Sequence, residues 1–176
     1  MSCPETLFAA LRRCPDLDGV DDSVLTELIQ AGSVKRYVAG QCYHLQGEDA
    51  QEAVFVLKGY LLIGMSDRNG NTHIVRPVTE GIWFNLLPIL DGGPALHDTH
   101  AAIDSELFVV PKAKFLHIAH KATALMNAVH RLLHQRNRLL YHELAHMALL
   151  PLGQRCAQLL VQLMGKAEGG ISQVDV

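Results

Sequence analysis

Charge is scarce in this sequence. Asp, Glu, Lys and Arg make up only 19% of its 176 residues, and the formal net charge is −3. That balance leaves no basic footprint for nucleic acid on the chain itself. No apolar run reaches the roughly 18 residues that a membrane-spanning helix needs. The opening "MSCPETLFAALRRCPD" lacks both the basic start and the small-residue cleavage site of a secretory signal, so a cytoplasmic location is expected. Cysteines are few: Cys3, Cys14, Cys42 and Cys156 form no C-x-x-C pair. Neither a zinc site nor an iron–sulfur cluster is therefore expected, and the thiols are read as reduced and structural. No phosphate-binding P-loop and no nucleophile–base arrangement is present, so the chain is not read as an enzyme.

What is there is apolar. Hydrophobic residues make up 49% of the chain and the mean hydropathy is +0.13, enough for one sizeable core. Two short helices are expected first, over 5–13 and 22–31. Asp21 or Asp22 can cap the second, and Gly32 ends it. From Ser33 to Val110 short β-rich runs alternate with turn signals, the texture of a small all-β sandwich or barrel. Within "YLLIGMSDRNGNTHIVRPV" the pair Asn69-Gly70 marks a hairpin turn, and Gly40, Gly47, Gly59 and Gly81 punctuate the other strands.

From Pro111 onward the pattern is helical. Residues 121–150 contain neither Gly nor Pro, so about 30 residues can form a helix of about 45 Å at about 1.5 Å per residue. Met126, Val129, Leu133, Leu140, Leu144 and Met147 recur at steps of three and four, with Arg136 as the polar interruption. A second stripe, Leu125, Leu132 and Leu139, repeats every seven residues. The first stripe, with Arg136, is expected to pair with a second copy of the helix and the second to pack on the β region. Pro151 stops the helix, a shorter one is expected over 152–164, and the chain closes on "KAEGGISQVDV", which reads as a shortened form of a longer protein.

The order of elements, and the stretches "YVAGQCYHLQGEDAQEAVFVLKGYLLI", "GIWFNLLPILDGGPALHDTHAAIDSELFVVPKAKF" and "ALLPLGQRCAQLLVQL", resemble the Crp/Fnr family of bacterial transcription regulators. The resemblance implies an α+β chain in three parts. Residues 1–120 would form an antiparallel β-roll, a cyclic-nucleotide-binding-like double-stranded jelly roll, with its N-terminal helices. Residues 121–150 would be the dimerisation helix of a homodimer. Residues 151–176 would begin a winged helix-turn-helix DNA-binding domain that lacks its recognition helix, so DNA would be met through a C-terminal domain absent from this chain.

In nucleotide-binding members of that fold, a loop supplies Gly-Glu and, about ten residues later, Arg followed by Ser or Thr. The arginine pairs with the cyclic phosphate and backbone N–H groups cradle it. By this resemblance the Gly-Glu positions are Asn85 and Leu86, the arginine position is Ala95 and the Ser/Thr position is Leu96. The base contacts fall near Leu139 and Leu140. Trp83, Phe84, Leu86, Leu87, Leu96, Leu139 and Leu140 would then line the former pocket with apolar surface. A buried phosphate without a cation is costly, so cyclic AMP is not expected to bind. The pocket is expected to be filled by its own side chains, with an apolar or planar effector as the alternative.

Ten histidines leave further readings open. The pairs His130/His134 and His142/His146 lie four apart on a helix, the spacing of a metal or haem ligand pair. Exposed positions on a polar face explain them without a cofactor, and none is expected. "HDTH", with His97 and His100, has the wrong spacing for the His-x-His of a cupin-like metal enzyme, which stays a remote alternative. A non-DNA-binding dimerisation module that pairs with a full-length regulator is another.

Overall fold

A computed structural model describes residues 4–66 and 72–151, together with 153, 154 and 157. The chain divides into two compact units, Met1–His130 and Arg131–Val176. The first opens with helix α1 (Pro4–Arg12), a single 3-10 turn at Pro15–Leu17 and helix α2 (Asp22–Ala31). Glu5 stands in the first turn of α1 and Arg12 in its last, each charge opposed to the helix dipole end beside it. On α2, Leu25 and Leu28 fall on one face three residues apart and both are buried.

Eight strands follow: β1 (Ser33–Tyr37), β2 (Cys42–His44), β3 (Glu52–Lys58), β4 (Tyr60–Ser66), β5 (Thr72–Thr79), β6 (Trp83–Phe84), β7 (Asp98–Ala101) and β8 (Ser105–Pro111). They form two antiparallel four-stranded sheets, in the orders β1-β8-β3-β6 and β2-β7-β4-β5. The expected β-roll is therefore present. The short β6, the helix α3 (Leu86–Asp91) and β7 had no clear periodicity and come from the structure alone.

Strands β3 and β8 explain their own composition. Their runs "AVFVL" and "LFVV" are continuously apolar because both faces are covered. Val54, Val56, Leu107 and Val109 point into the roll, beside Leu61, Ile63, Val78, Ile82, Phe84 and Ala101. Phe55 and Phe108 point the other way and meet Trp83 at ring-centroid distances of 5.3 and 6.4 Å. Phe115 of helix α4 (Lys112–Lys121) completes that outer cluster, 5.9 Å from Trp83. Helix α4 also packs on α2, β3 and β8.

Ala122, with φ −104° and ψ 91°, breaks the helix. Helix α5 (Thr123–Leu149) then runs for 27 residues, close to the expected extent. The division between the two units falls inside α5 rather than at its start. Leu125, Ala128 and Val129 are buried in the first unit. Val129, expected on the pairing stripe, is thus already covered within the single chain. Met126, Leu133 and Arg136 are half-buried, whereas Leu140, Leu144 and Met147 are exposed. The Asn69-Gly70 turn, Cys3, Cys156 and the tail lie outside the described residues, as does the expected helix over 152–164 apart from 153, 154 and 157. Among the described residues no helix is long and apolar enough to cross a membrane.

One glycine is fixed by two constraints at once. Gly59 sits at φ +86°, and a Cβ there would meet Ser105 Oγ and lie 2.7 Å from Asp104 O. Gly40 has a similar φ of +82° with open space around it. Gly40→Ala should cost about 1 kcal/mol of left-handed backbone strain. Gly59→Ala adds the clash and should cost about 2 kcal/mol or more, a larger fall in Tm that thermal denaturation of the two variants will resolve.

Candidate functional site

The candidate site begins where β6 leaves the sheet. Its two residues pair with β3, Trp83 opposite Phe55 and Phe84 opposite Val54. Adjacent strand residues face opposite sides, and this separates two residues expected to line one pocket. Trp83 belongs to the outer aromatic cluster under α4 and is 2% exposed. Phe84 faces into the roll, where its ring lies 5.6 Å from Tyr43.

Asn85 turns the chain. Its φ of 66° is the one positive value outside glycine among the described residues. Asparagine tolerates this left-handed conformation better than most side chains. Its Nδ2 donates to the Glu52 carbonyl at 3.1 Å, which ties the turn to β3. Helix α3 then follows with Leu86, Pro88 and Ile89 buried and Leu87 exposed. Gly92, at φ 75°, closes it by donating its N–H to the Pro88 carbonyl at 3.1 Å.

Ala95 is 2% exposed. Both its backbone groups are engaged: the Ala95 N–H donates to the Glu48 carbonyl at 2.7 Å, and the Gly47 N–H donates to the Ala95 carbonyl at 2.9 Å. Asp49 and Pro94 form a bridge beside them. Further donors are taken by carboxylates. The Gly93 N–H donates to Asp91 Oδ1 at 2.8 Å, the Leu45 N–H to Glu48 Oε2 at 2.9 Å and the Gln46 N–H to Asp98 Oδ1 at 2.8 Å. The strip is thus laced to the loop over 45–49 by the main chain, in a setting of negative charge. Between Lys58 and Lys112 the sequence contains no Lys or Arg except Arg68 and Arg76.

Residues 34–122, about half of the chain, match the family described as the cyclic nucleotide-binding domain. The chain belongs to that family. The same fold is seen in the Thermus thermophilus Catabolite Activator Protein, with TM-score 0.69 and 19% identity over 76% of this chain and 63% of that one. The sensor domain of the transcriptional regulator DNR from Pseudomonas aeruginosa gives TM-score 0.69 and 20% identity over 86% of this chain and 100% of that one. The regulatory subunit of a cAMP-independent protein kinase A from Trypanosoma brucei gives TM-score 0.68 and 21% identity over 80% of this chain and 50% of that one. The chain thus spans less than two thirds of the Thermus and trypanosome proteins, and at these identities the likeness carries the fold alone. No curated protein matches it significantly.

Within this cyclic nucleotide-binding domain, the segment from Phe84 to Leu96 is where the resemblance had set the ligand loop. Phe84, Leu86 and Ala95 are buried, Asn85 is half-buried and Leu96 is 46% exposed. Leu139 and Leu140 belong to the second unit, on α5, and both are exposed there. His130, His134 and His142 are exposed and His146 half-buried. Among the described residues no three His, Cys, Asp or Glu side chains gather as a metal site would require. Cys14 and Cys42 are free thiols, the first buried and the second exposed.

Several residues that hold this site escaped the sequence reading. Tyr43 packs on Tyr37, His44 and Phe84 with ring distances of 5.6, 4.8 and 5.6 Å. Burial, and next the Glu52 carboxylate, pushes its phenol well above the ordinary range, so it stays protonated. The Glu52 carboxylate accepts from Lys35 Nζ at 2.7 and 2.8 Å while its carbonyl serves Asn85. His44 Nε2 lies 3.1 Å from Thr99 Oγ1. These contacts join positions far apart in the chain, and only the cluster of polar residues in "YHLQGED" hinted at them.

Asn85 makes a test of its own. Asn85→Gly keeps the left-handed turn and loses one hydrogen bond, so stability should stay within about 1 kcal/mol. Asn85→Val forces a β-branched residue into that conformation and should cost about 2 kcal/mol or more. Urea denaturation of both variants checks the order.

Proposed function

We propose that this chain is the sensor and dimerisation region of a Crp/Fnr-type transcription regulator whose nucleotide cassette no longer takes cyclic AMP. Ala95 carries the reading. Where the resemblance calls for an arginine, there is a buried alanine whose N–H already donates to the Glu48 carbonyl and whose carbonyl already accepts from the Gly47 N–H. Glu48, Asp91 and Asp98 lie along the same strip and offer carboxylates where a phosphate would need cations. An anion brought here would lose its hydration and gain no counter-charge.

The burial of Leu86, Ile89 and Ala95 supports a cassette filled by its own side chains. Any effector acting here would be uncharged and apolar or planar. The trypanosome protein with the same fold is itself described as cAMP-independent, which fits a loss of nucleotide control on this scaffold. The protein acts in the cytoplasm, without catalysis and without haem, as a homodimer paired through α5. The exposed Leu140, Leu144 and Met147 support that pairing. A shift in the pose of the two rolls about the paired helices would pass through the hinge at Pro151 to DNA-binding domains beyond this chain.

Titration calorimetry with cyclic AMP should give no binding heat up to about millimolar ligand, the floor of useful affinity. A micromolar dissociation constant would overturn the reading. Leu133→Asp and Leu140→Asp should each yield monomers by light scattering, with the roll still folded by circular dichroism. A dimer that survives both substitutions moves the interface away from α5.

A further inference from the structure

The net charge of −3 averages over a strong segregation. Residues 1–106 hold 15 Asp and Glu against seven Lys and Arg. Residues 107–142 hold six Lys and Arg and no Asp or Glu, and the next acidic residue is Glu143. The balance of the whole chain, which leaves no basic footprint, thus conceals a long run with charge of one sign.

Helix α5 aligns the second half of that run. Arg131, His134, Arg138 and His142 recur at steps of three and four, so they share one face of the helix. All four are exposed, as is Gln135 beside them. Leu133, Leu140, Leu144 and Met147 lie about half a turn away, and Glu143 points clear of the basic face. Every residue of this comparison belongs to the second unit. A pairing through the leucine stripe would leave the basic face outermost.

The neighbours of a basic face choose its partner. A protein interface needs an apolar or aromatic centre, and a lipid surface would take the leucine stripe on the other side. Phosphates of a nucleic acid need only cations and hydrogen-bond donors set along a regular element. Arg131 and Arg138 stand about 10 Å apart along the helix axis, and a duplex strand carries a phosphate about every 3.4 Å along its own. Each guanidinium can therefore hold a separate phosphate through two parallel hydrogen bonds. We propose that the outer face of α5 binds the phosphate backbone of nucleic acid without regard to sequence, with Arg131 and Arg138 as its anchors. This contact lies within the chain itself. It needs neither the DNA-binding domains invoked above nor any property of the nucleotide cassette.

Fluorescence anisotropy of the full chain with a labelled DNA duplex of arbitrary sequence tests this. The dissociation constant should be about 100 µM or tighter in about 50 mM salt. Two phosphate contacts give a log–log salt slope of about −1.8, an affinity loss of about tenfold by about 200 mM. A second duplex of unrelated sequence should behave alike. Arg131→Gln and Arg138→Gln should each halve the slope, while Lys114→Gln on α4 should leave it unchanged. Circular dichroism reports the fold, and should one arginine variant fail to fold, the other decides. Absence of binding overturns the proposal, and so does a slope that survives the arginine substitutions or falls equally with Lys114→Gln. Labelled poly-glutamate or anionic vesicles that bind as tightly at equal charge would also overturn it, by assigning the face to an acidic protein or a lipid surface.

Discussion

The pairing of β3 with β8 is the constraint on which the rest of the molecule depends. These two strands run side by side through the middle of their sheet and are buried on both faces. One face closes the roll, and the other seats the helices through Phe55, Phe108, Trp83 and Phe115. Loss of water from both sides of one sheet gives the strongest drive available to a domain with so few charges. It also fixes where β6 must leave the sheet, because Trp83 is locked into the outer cluster and Phe84 into the inner one. The turn at Asn85 follows from that two-sided lock.

The site that results is built mostly from main chain. The Ala95, Gly47 and Glu48 backbone groups bond one another, and nearby carboxylates take up further N–H groups. Such an arrangement sets main-chain bonds and carboxylates along the strip, with no Lys or Arg among the contacts that lace it. That is the support for the proposed loss of the phosphate grip in this cyclic nucleotide-binding domain. The α5 stripe is a separate matter. Its exposed leucines and methionine lie in the second unit, where they support the pairing proposed through α5.

Much of this was legible from residues alone, for identifiable reasons. Helix α2 matches its expected bounds, although the N-cap Asp21 side chain makes no capping hydrogen bond and Gly32 closes the helix in extended backbone, its N–H donating to the Leu28 carbonyl. The long strands and α5 declared themselves through sustained apolar patterns. The two-residue β6 and the six-residue α3 are shorter than the period of any pattern, so nothing local announced them. Trp83 was expected with Phe84 at one pocket, because a sequence of apolar neighbours does not say which face each one takes. The His44–Thr99 and Glu52–Asn85 contacts span 55 and 33 residues. Only the folded register brings such partners together.

The lacing of Ala95 has an evolutionary consequence. Its two bonds are made by atoms that every residue except proline possesses, so the strip keeps its course largely without regard to the side chain it displays. The course of the strip there is set by main-chain bonds, and the choice of side chain by the space around a buried methyl group. A lineage could discard a phosphate-gripping arginine there, or recruit some other group, without first having to reinvent the scaffold.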